Sequence, residues 1–119
     1  MADWKLGAVE ARFADLIWQN EPLASGNLAK LALENLDWKK TTAFTVLKRL
    51  CDRGIFQNDN GTVTSLISRE EFYARQSEEY VRESFDGSLP AFVAAFGSRS
   101  KLTDKELDEL QRLIDGMRR

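Results

Sequence analysis

The stretch WKKTTAFTVLKRLCDRG, from Trp38 to Gly54, decides the fold of this chain. Its apolar residues recur at intervals of three and four, which predicts an amphipathic helix with one buried face. The buried residues of this helix are Ala43, Val46, Leu47 and Leu50. The opposite face presents Thr41, Thr42, Thr45, Lys48, Arg49 and Asp52. We expect Gly54 to end the helix, because glycine adopts the left-handed backbone that follows many helix C-termini.

The segments around this helix have the order of a winged helix. WKLGAVEARFADLIWQN, beginning at Trp4, predicts a first helix, and a second is expected to begin at Ser25 as its N-cap. After Gly54, IFQNDNGTVTSLI contains two β-prone runs around a glycine turn, which indicates a hairpin. The connection between the second and third helices is short, so the two can form a helix-turn-helix.

From Ser68 onwards the sequence predicts only helices. SREE (Ser68–Glu71) and TDKE (Thr103–Glu106) are capping-box patterns, and DGS at Asp86–Ser88 interrupts the helical pattern. About 50 residues of helix bury too little surface to be stable alone, and pairing with an identical copy is the simplest remedy. The predicted dimer contacts are Phe85, Leu89, Phe92, Val93, Phe96, Leu107, Leu110 and Ile114. We therefore expect a mainly α fold with a small β-hairpin wing, divided into a winged-helix domain (1–67) and a helical dimerisation domain (68–119).

Composition excludes several classes of function. The chain has 119 residues, a net charge of −2, one cysteine (Cys51) and no histidine, so no histidine-dependent triad and no cysteine-rich metal site is expected. Adjacent acids such as Glu70 and Glu71 point in different directions on a helix and fit a solvated face, so we expect neither an enzyme nor a cofactor. No apolar run is long enough to span a bilayer, and no signal-peptide pattern is present, so a cytoplasmic location is expected.

The basic residues are concentrated on the third helix although the chain as a whole is acidic. Residues 1–67 carry eight basic and eight acidic side chains, and residues 68–119 carry nine and eleven. A basic helix face is often only a solvated surface. Here it lies on the second helix of a helix-turn-helix and alternates with threonine, which favours binding to double-stranded DNA. We therefore expect the winged helix, residues 1–67, to be a DNA-binding domain. The predicted DNA-binding residues are Lys39, Lys40, Thr41, Thr42, Thr45, Lys48, Arg49 and Arg53, with Lys39, Lys40 and Arg53 on phosphates.

The sequence resembles the penicillinase-repressor family of winged-helix transcriptional regulators over about residues 4–115. The resemblance is carried by LGAVEARFADLIW, by the Trp38–Gly54 stretch, by the glycine hairpin, and by FDGSLPAFVAAF and LTDKELDELQRLI. It implies a homodimer that represses an operon, of the resistance type, by binding palindromic operators. Thr42 and Thr45 match positions that meet DNA in the family, and Arg49 matches its Arg-Leu pair. The wing departs from the family pattern, because NGTVTSLIS contains neither a basic nor an aromatic residue.

The resemblance also bears on induction. Copper-responsive members end in a cysteine-rich tail, whereas this chain ends LIDGMRR. Penicillinase-type members are cut by a membrane-bound sensor protease before a phenylalanine of the dimerisation domain. The matching bond here is Ala95–Phe96. The apolar spacing also indicates that Phe96 is an ordinary core residue of a short helix.

Three alternatives follow from the residues themselves. A winged-helix module that binds proteins without binding DNA would suit the uncharged wing and the acidic C-terminal half. Phe44, on the recognition helix, either packs on a thymine methyl or tucks under the wing. Cys51 is either a small core residue or a thiol sensor.

Overall fold

The computed structural model describes residues 5–118, and Trp4 lies outside them. Within this range the chain forms six helices and three short strands. In chain order these are α1 (Ala8–Asn20), β1 (Leu23–Ala24), α2 (Ser25–Leu36), α3 (Lys40–Asp52), β2 (Phe56–Asp59), β3 (Thr62–Ser65), α4 (Arg69–Ser84), α5 (Leu89–Arg99) and α6 (Asp104–Met117). The fold is mainly helical with a hairpin wing, as predicted. The chain divides into two compact units, residues 1–77 and 78–119, which are described separately.

The α3 helix buries the four apolar residues that its sequence predicts. Ala43, Val46, Leu47 and Leu50 are at most 7% exposed. The helix ends at Asp52, and Gly54 follows two residues later with a φ of +80°. Beyond it, the Ile55 N–H donates to the Leu50 carbonyl over 3.2 Å, and the Gly54 N–H donates to the Cys51 carbonyl over 3.0 Å. These two bonds satisfy carbonyls that a helix C-terminus would otherwise leave open.

The start of α2 differs from the prediction in its capping. Ala24, not Ser25, is the N-cap, and no side chain caps this helix. The Ser25 N–H instead donates to the Gly61 carbonyl over 2.8 Å, which fastens the start of α2 to the wing. The prediction of Ser25 as the N-cap was therefore wrong. The bond that Ser25 makes joins residues far apart in the sequence, and a local capping pattern does not reveal such a bond.

The sheet has three strands, one more than the sequence predicts. β2 and β3 form the expected antiparallel hairpin, and Asn60 and Gly61 both have positive φ in its two-residue turn. β1 pairs with β3, which places Leu23 opposite Val63. A two-residue strand is too short to leave a periodic pattern in sequence.

Trp18 joins three parts of the first unit. Its ring centroid lies 5.1 Å from that of Phe56 and 5.4 Å from that of Phe72, and its Nε1–H donates to the Ile67 carbonyl over 3.0 Å. Phe72, in the first turns of α4, is 1% exposed and belongs to the main core cluster. The sequence pattern changes at Ser68, but the compact units divide between residues 77 and 78, because these first turns of α4 pack on the winged helix.

The second unit has helices without a buried core. No residue of 78–118 is buried, whereas the first unit contains every buried hydrophobic residue of the described chain. The rings of Tyr80, Phe85, Phe92 and Phe96 form a chain with neighbouring centroids 5.5–6.3 Å apart. Thr103 and Glu106 form the complete capping box predicted for α6. At α4, Ser68 accepts from the Glu71 N–H, but the Glu71 carboxylate pairs with Arg75.

No helix among residues 5–118 is long and apolar enough to cross a membrane.

The packing of Phe72 predicts that α4 contributes to the stability of the winged helix. Phe72→Ala should lower the free energy of unfolding of this unit by about 3–5 kcal/mol, because it opens a cavity in a buried core. Trp18 and Trp38 pack against the core of this unit, and the chain has no tryptophan after residue 38, so tryptophan fluorescence during urea unfolding reports on this unit. Leu66→Ala, at a position 55% exposed, is the control and should cost far less. Equal losses in the two variants would contradict the assignment of α4 to this core.

Candidate nucleic-acid interface

Three threonines occupy the exposed face of α3, opposite its buried residues. Thr41, Thr42 and Thr45 are all exposed. The Thr45 hydroxyl donates to the Thr41 carbonyl over 2.8 Å. A hydroxyl that donates within its own helix still accepts hydrogen bonds. Thr45 can therefore accept from an amino group on a base edge or touch a thymine methyl without rearranging.

Two lysines stand at the N-terminal end of the same helix. Lys39 is the N-cap residue of α3 and Lys40 is its first residue, and both are exposed. The Lys40 Nζ lies 5.6 Å from the centroid of the Phe44 ring. Phe44 is half-buried and packs against the core, with Lys40 above it. Both lysines belong to the N-terminal end of α3, where the helix dipole also favours an anion.

The cations nearer the C-terminus of α3 are engaged within the protein. Lys48 pairs with Asp52 over 3.2 Å, and both side chains are well exposed. Arg49 pairs with Glu10 of α1 over 3.4 Å. Arg53 is half-buried, and its Nη1 donates to the Lys5 carbonyl over 3.1 Å. The structure therefore places the eight predicted residues on α3 and at the two positions that flank it. They fall into two groups: an open N-terminal half, from Lys39 to Thr45, and a C-terminal half whose cations, from Lys48 to Arg53, contact other groups of the protein.

The wing offers neutral polar groups and one acid, and no basic side chain. Asn58 lies on the wing, and its Oδ1 accepts from the Gly61 N–H over 2.9 Å, so this oxygen is used inside the turn. Asn60 and Thr62 are exposed, and the acidic Asp59 is exposed beside them. Residues 55–67 contain no basic side chain. Phosphate contacts from this wing would have to come from backbone N–H groups and neutral side chains.

Two contacts that position the interface were not predicted from sequence. Glu21, after α1, accepts from both the N–H and the hydroxyl of Ser65 over 2.8 Å, which ties β3 to α1. Glu10 pairs with Arg49 across 39 positions. Both carboxylates join residues far apart in the chain, so no local pattern signals them.

The predicted dimer contacts are mostly exposed in the single chain. Phe85 and Phe92 are half-buried within the aromatic chain of the second unit. The other predicted contacts are 39–57% exposed: Leu89, Val93, Phe96, Leu107, Leu110 and Ile114. An apolar groove of about 340 Å³ between α5 and α6 adds Leu102 and Leu113, which the sequence analysis did not single out. Ala95 and Phe96 lie within α5, and both are exposed.

Among residues 5–118, no group of three or more histidine, cysteine, aspartate or glutamate side chains is placed to hold a metal ion.

Comparison with known proteins identifies the family. The sequence model of a family described as "Penicillinase repressor" matches residues 6–116. The chain belongs to the penicillinase repressor family. It is 20% identical over 116 residues to the methicillin resistance regulatory protein MecI of Staphylococcus aureus strain N315, covering 94% of each chain. It is 21% identical over 115 residues to the penicillinase repressor of Bacillus licheniformis, covering 93% of this chain and 90% of that protein.

The family assignment confirms several of the sequence-based expectations. It indicates a DNA-binding transcriptional repressor and not an enzyme. The penicillinase repressor family was also the one that the sequence motifs resembled. The assignments of individual residues to DNA or to a dimer remain predictions.

Cys51, on α3, has the environment of a structural cysteine. It is half-buried and packs against the core. Burial raises the pKa of the Cys51 thiol, the charge of Asp52 raises it further, and Lys48 opposes both. A raised pKa lowers the fraction of the reactive thiolate near neutral pH.

We expect Cys51 to react slowly with an alkylating reagent. At pH 8 the folded protein should be modified by iodoacetamide more slowly than a free cysteine peptide, because less thiolate is present and part of the thiol is covered. Unfolding in guanidinium should restore the peptide rate. Alkylation of the folded protein faster than the peptide would instead support a thiol sensor.

Proposed function

We propose that this protein is a homodimeric transcriptional repressor that binds palindromic operators through α3. The observation that carries the proposal is the division of α3 into a fully buried apolar face and an exposed threonine face with lysines at its N-terminus. In a helix-turn-helix the second helix lies in the major groove, with its N-terminal residues against base edges. The open half of α3 is this N-terminal half. Thr41, Thr42 and Thr45 would then read bases, and Lys39 and Lys40 would contact phosphates.

The second unit supports dimerisation through its lack of a core. Most of its large apolar side chains are 39–59% exposed, and Met117 is 77% exposed. Monomeric proteins rarely leave so continuous an apolar surface in water. An identical copy would bury it with two-fold symmetry, and a two-fold dimer matches a palindrome. Residues 78–118 would therefore hold two winged helices on two half-sites.

Dimerisation would supply most of the operator affinity. A single winged helix whose wing has no basic residue makes few phosphate contacts, so its affinity should lie near the non-specific range of about 10⁻⁴–10⁻⁶ M. Linking two copies makes the second contact intramolecular, which can raise affinity by about 10²–10⁴.

If operator affinity depends on the dimer, proteolysis of the second unit would relieve repression. We propose the Ala95–Phe96 bond as the cleavage site, with a membrane-bound sensor protease as the partner and a resistance-type operon as the target. A protease needs extended backbone, and in the single chain α5 has no buried residue to oppose its local opening. Cleavage there would separate Phe96 and α6 from the rest of the chain.

The alternative is a winged-helix module that binds another protein and not DNA. The acidic Asp59 on the wing and the acidic C-terminal half are the features in its favour. A mobility-shift assay with genomic fragments distinguishes the two, because a repressor retards its own operator in the presence of excess unrelated DNA. Failure to retard any fragment would favour the protein-binding module.

Two substitutions on α3 should affect operator binding in different ways. Thr45→Ala should relax base preference at one position of each half-site, at about 1–3 kcal/mol per lost contact. Lys40→Ala should weaken binding to all sequences alike and lower the salt slope by about one unit per half-site. Fluorescence titrations at several salt concentrations measure both effects. Unchanged affinity in both variants would show that α3 is not the recognition surface.

A charge in the second unit should separate the protomers. Leu110→Glu should yield monomers in sedimentation experiments, because the carboxylate would have to be buried in an apolar interface without a partner. Lys105→Glu also adds an acid to α6, at a position outside its apolar face, and is the matched control that should remain dimeric. A wild-type protein that sediments as a monomer at micromolar concentration would overturn the dimer proposal.

A further inference from the structure

The Glu10 carboxylate connects the start of α1 to the recognition helix. Its Oε1 accepts from the Gly7 N–H over 3.3 Å, and its Oε2 pairs with the Arg49 Nη1 over 3.4 Å. The Glu10 side chain is 23% exposed, and the Arg49 side chain is 51% exposed. The Glu10 carboxylate thus caps the N-terminus of α1 and also pairs with Arg49 of α3.

The position of Arg49 contrasts with that of the lysines at the other end of α3. Within residues 5–118, Lys39 and Lys40 have no carboxylate partner, so their charge is available to a phosphate. Arg49 would have to leave Glu10 to reach one. Its departure would strand a carboxylate that is three-quarters covered by protein and lies beside the DNA polyanion. An uncompensated charge that is mostly withdrawn from water is costly, and neighbouring phosphates would add repulsion.

We propose that Glu10 is a positioning residue of the DNA interface that holds Arg49 on the protein and keeps it off the phosphate backbone. The inference rests on the proposed binding of DNA by α3. The pair approaches DNA as a neutral unit, so each protomer makes one phosphate contact fewer than its sequence suggests. Arg49 then fixes α3 against α1, and the salt dependence of binding is set by the lysines of the open half of the helix.

Salt dependence distinguishes a held arginine from one that binds phosphate. Each phosphate contact contributes about 0.9 to the slope of log K against log salt concentration. Glu10→Gln keeps an oxygen for the Gly7 N–H but removes the charge that retains Arg49. This variant should steepen the slope by about 0.9 per half-site and tighten binding to every sequence. The double variant Glu10→Gln/Arg49→Gln, which is also neutral at this pair, should return to the wild-type slope.

The titrations use the full-length protein and two duplexes of equal length. One is selected by the wild-type protein from a random-sequence pool, and the other is its scrambled counterpart. Glu70→Gln, which removes an exposed acid of α4, controls for net charge and should leave the slope nearly unchanged. A Glu10→Gln slope equal to that of wild type would overturn the inference. So would a double variant whose slope is shallower than wild type by about 0.9 per half-site.

A measurement on the wild-type protein covers the case in which Glu10→Gln fails to fold. The NMR signal of the Arg49 side-chain Nε–H should stay in place as the selected duplex is added, while the Lys40 Nζ signal should move. A large shift of the Arg49 signal would show that it meets the DNA. If the wild-type protein shows no preference for any duplex, the proposed function fails, whereas a clear preference with a shifted Arg49 signal rejects only the role of Glu10.

Discussion

The one-sided burial of α3 is the constraint on which the rest of the winged helix depends. Four apolar residues at intervals of three and four can all be buried only if one side of the helix faces the core. That choice also fixes the opposite face, where the threonines lie. The surface proposed to read DNA is therefore a consequence of packing, and a change in the register of α3 would lose the core and the interface together.

Trp18 positions the elements that surround α3, namely the wing and the start of α4. Its ring packs between Phe56 at the base of the wing and Phe72 in α4, and its indole N–H is satisfied by the Ile67 carbonyl. Aromatic pairs at these separations contribute beyond the area they bury. One side chain of α1 thus fixes both the wing and the start of the next helix, so the hairpin does not rely on the weak stability of two isolated strands.

The elements that were predicted are those with local causes. Helical periodicity, the turn at Asn60 and Gly61, and the capping box at Thr103 each depend on residues a few positions apart, and the family resemblance added their arrangement. The features that the sequence did not predict depend on contacts between residues far apart in the chain. β1 exists because it pairs with β3, and Arg49 is held by a carboxylate on another helix. Sequence shows that a cation is present on α3, but only the fold shows what that cation already contacts.

The contrast between the two units gives the proposed repressor a physical basis for regulation. The winged helix has its own core of fully buried residues. Residues 78–118 have no buried residue, so in the proposed homodimer their stability would depend on the concentration of the second copy. Events that disturb the C-terminal helices would then cost little folding free energy in the winged helix. Because the affinity of a linked pair falls steeply when the link is lost, a signal acting on the less stable unit can release DNA without unfolding the unit that binds it.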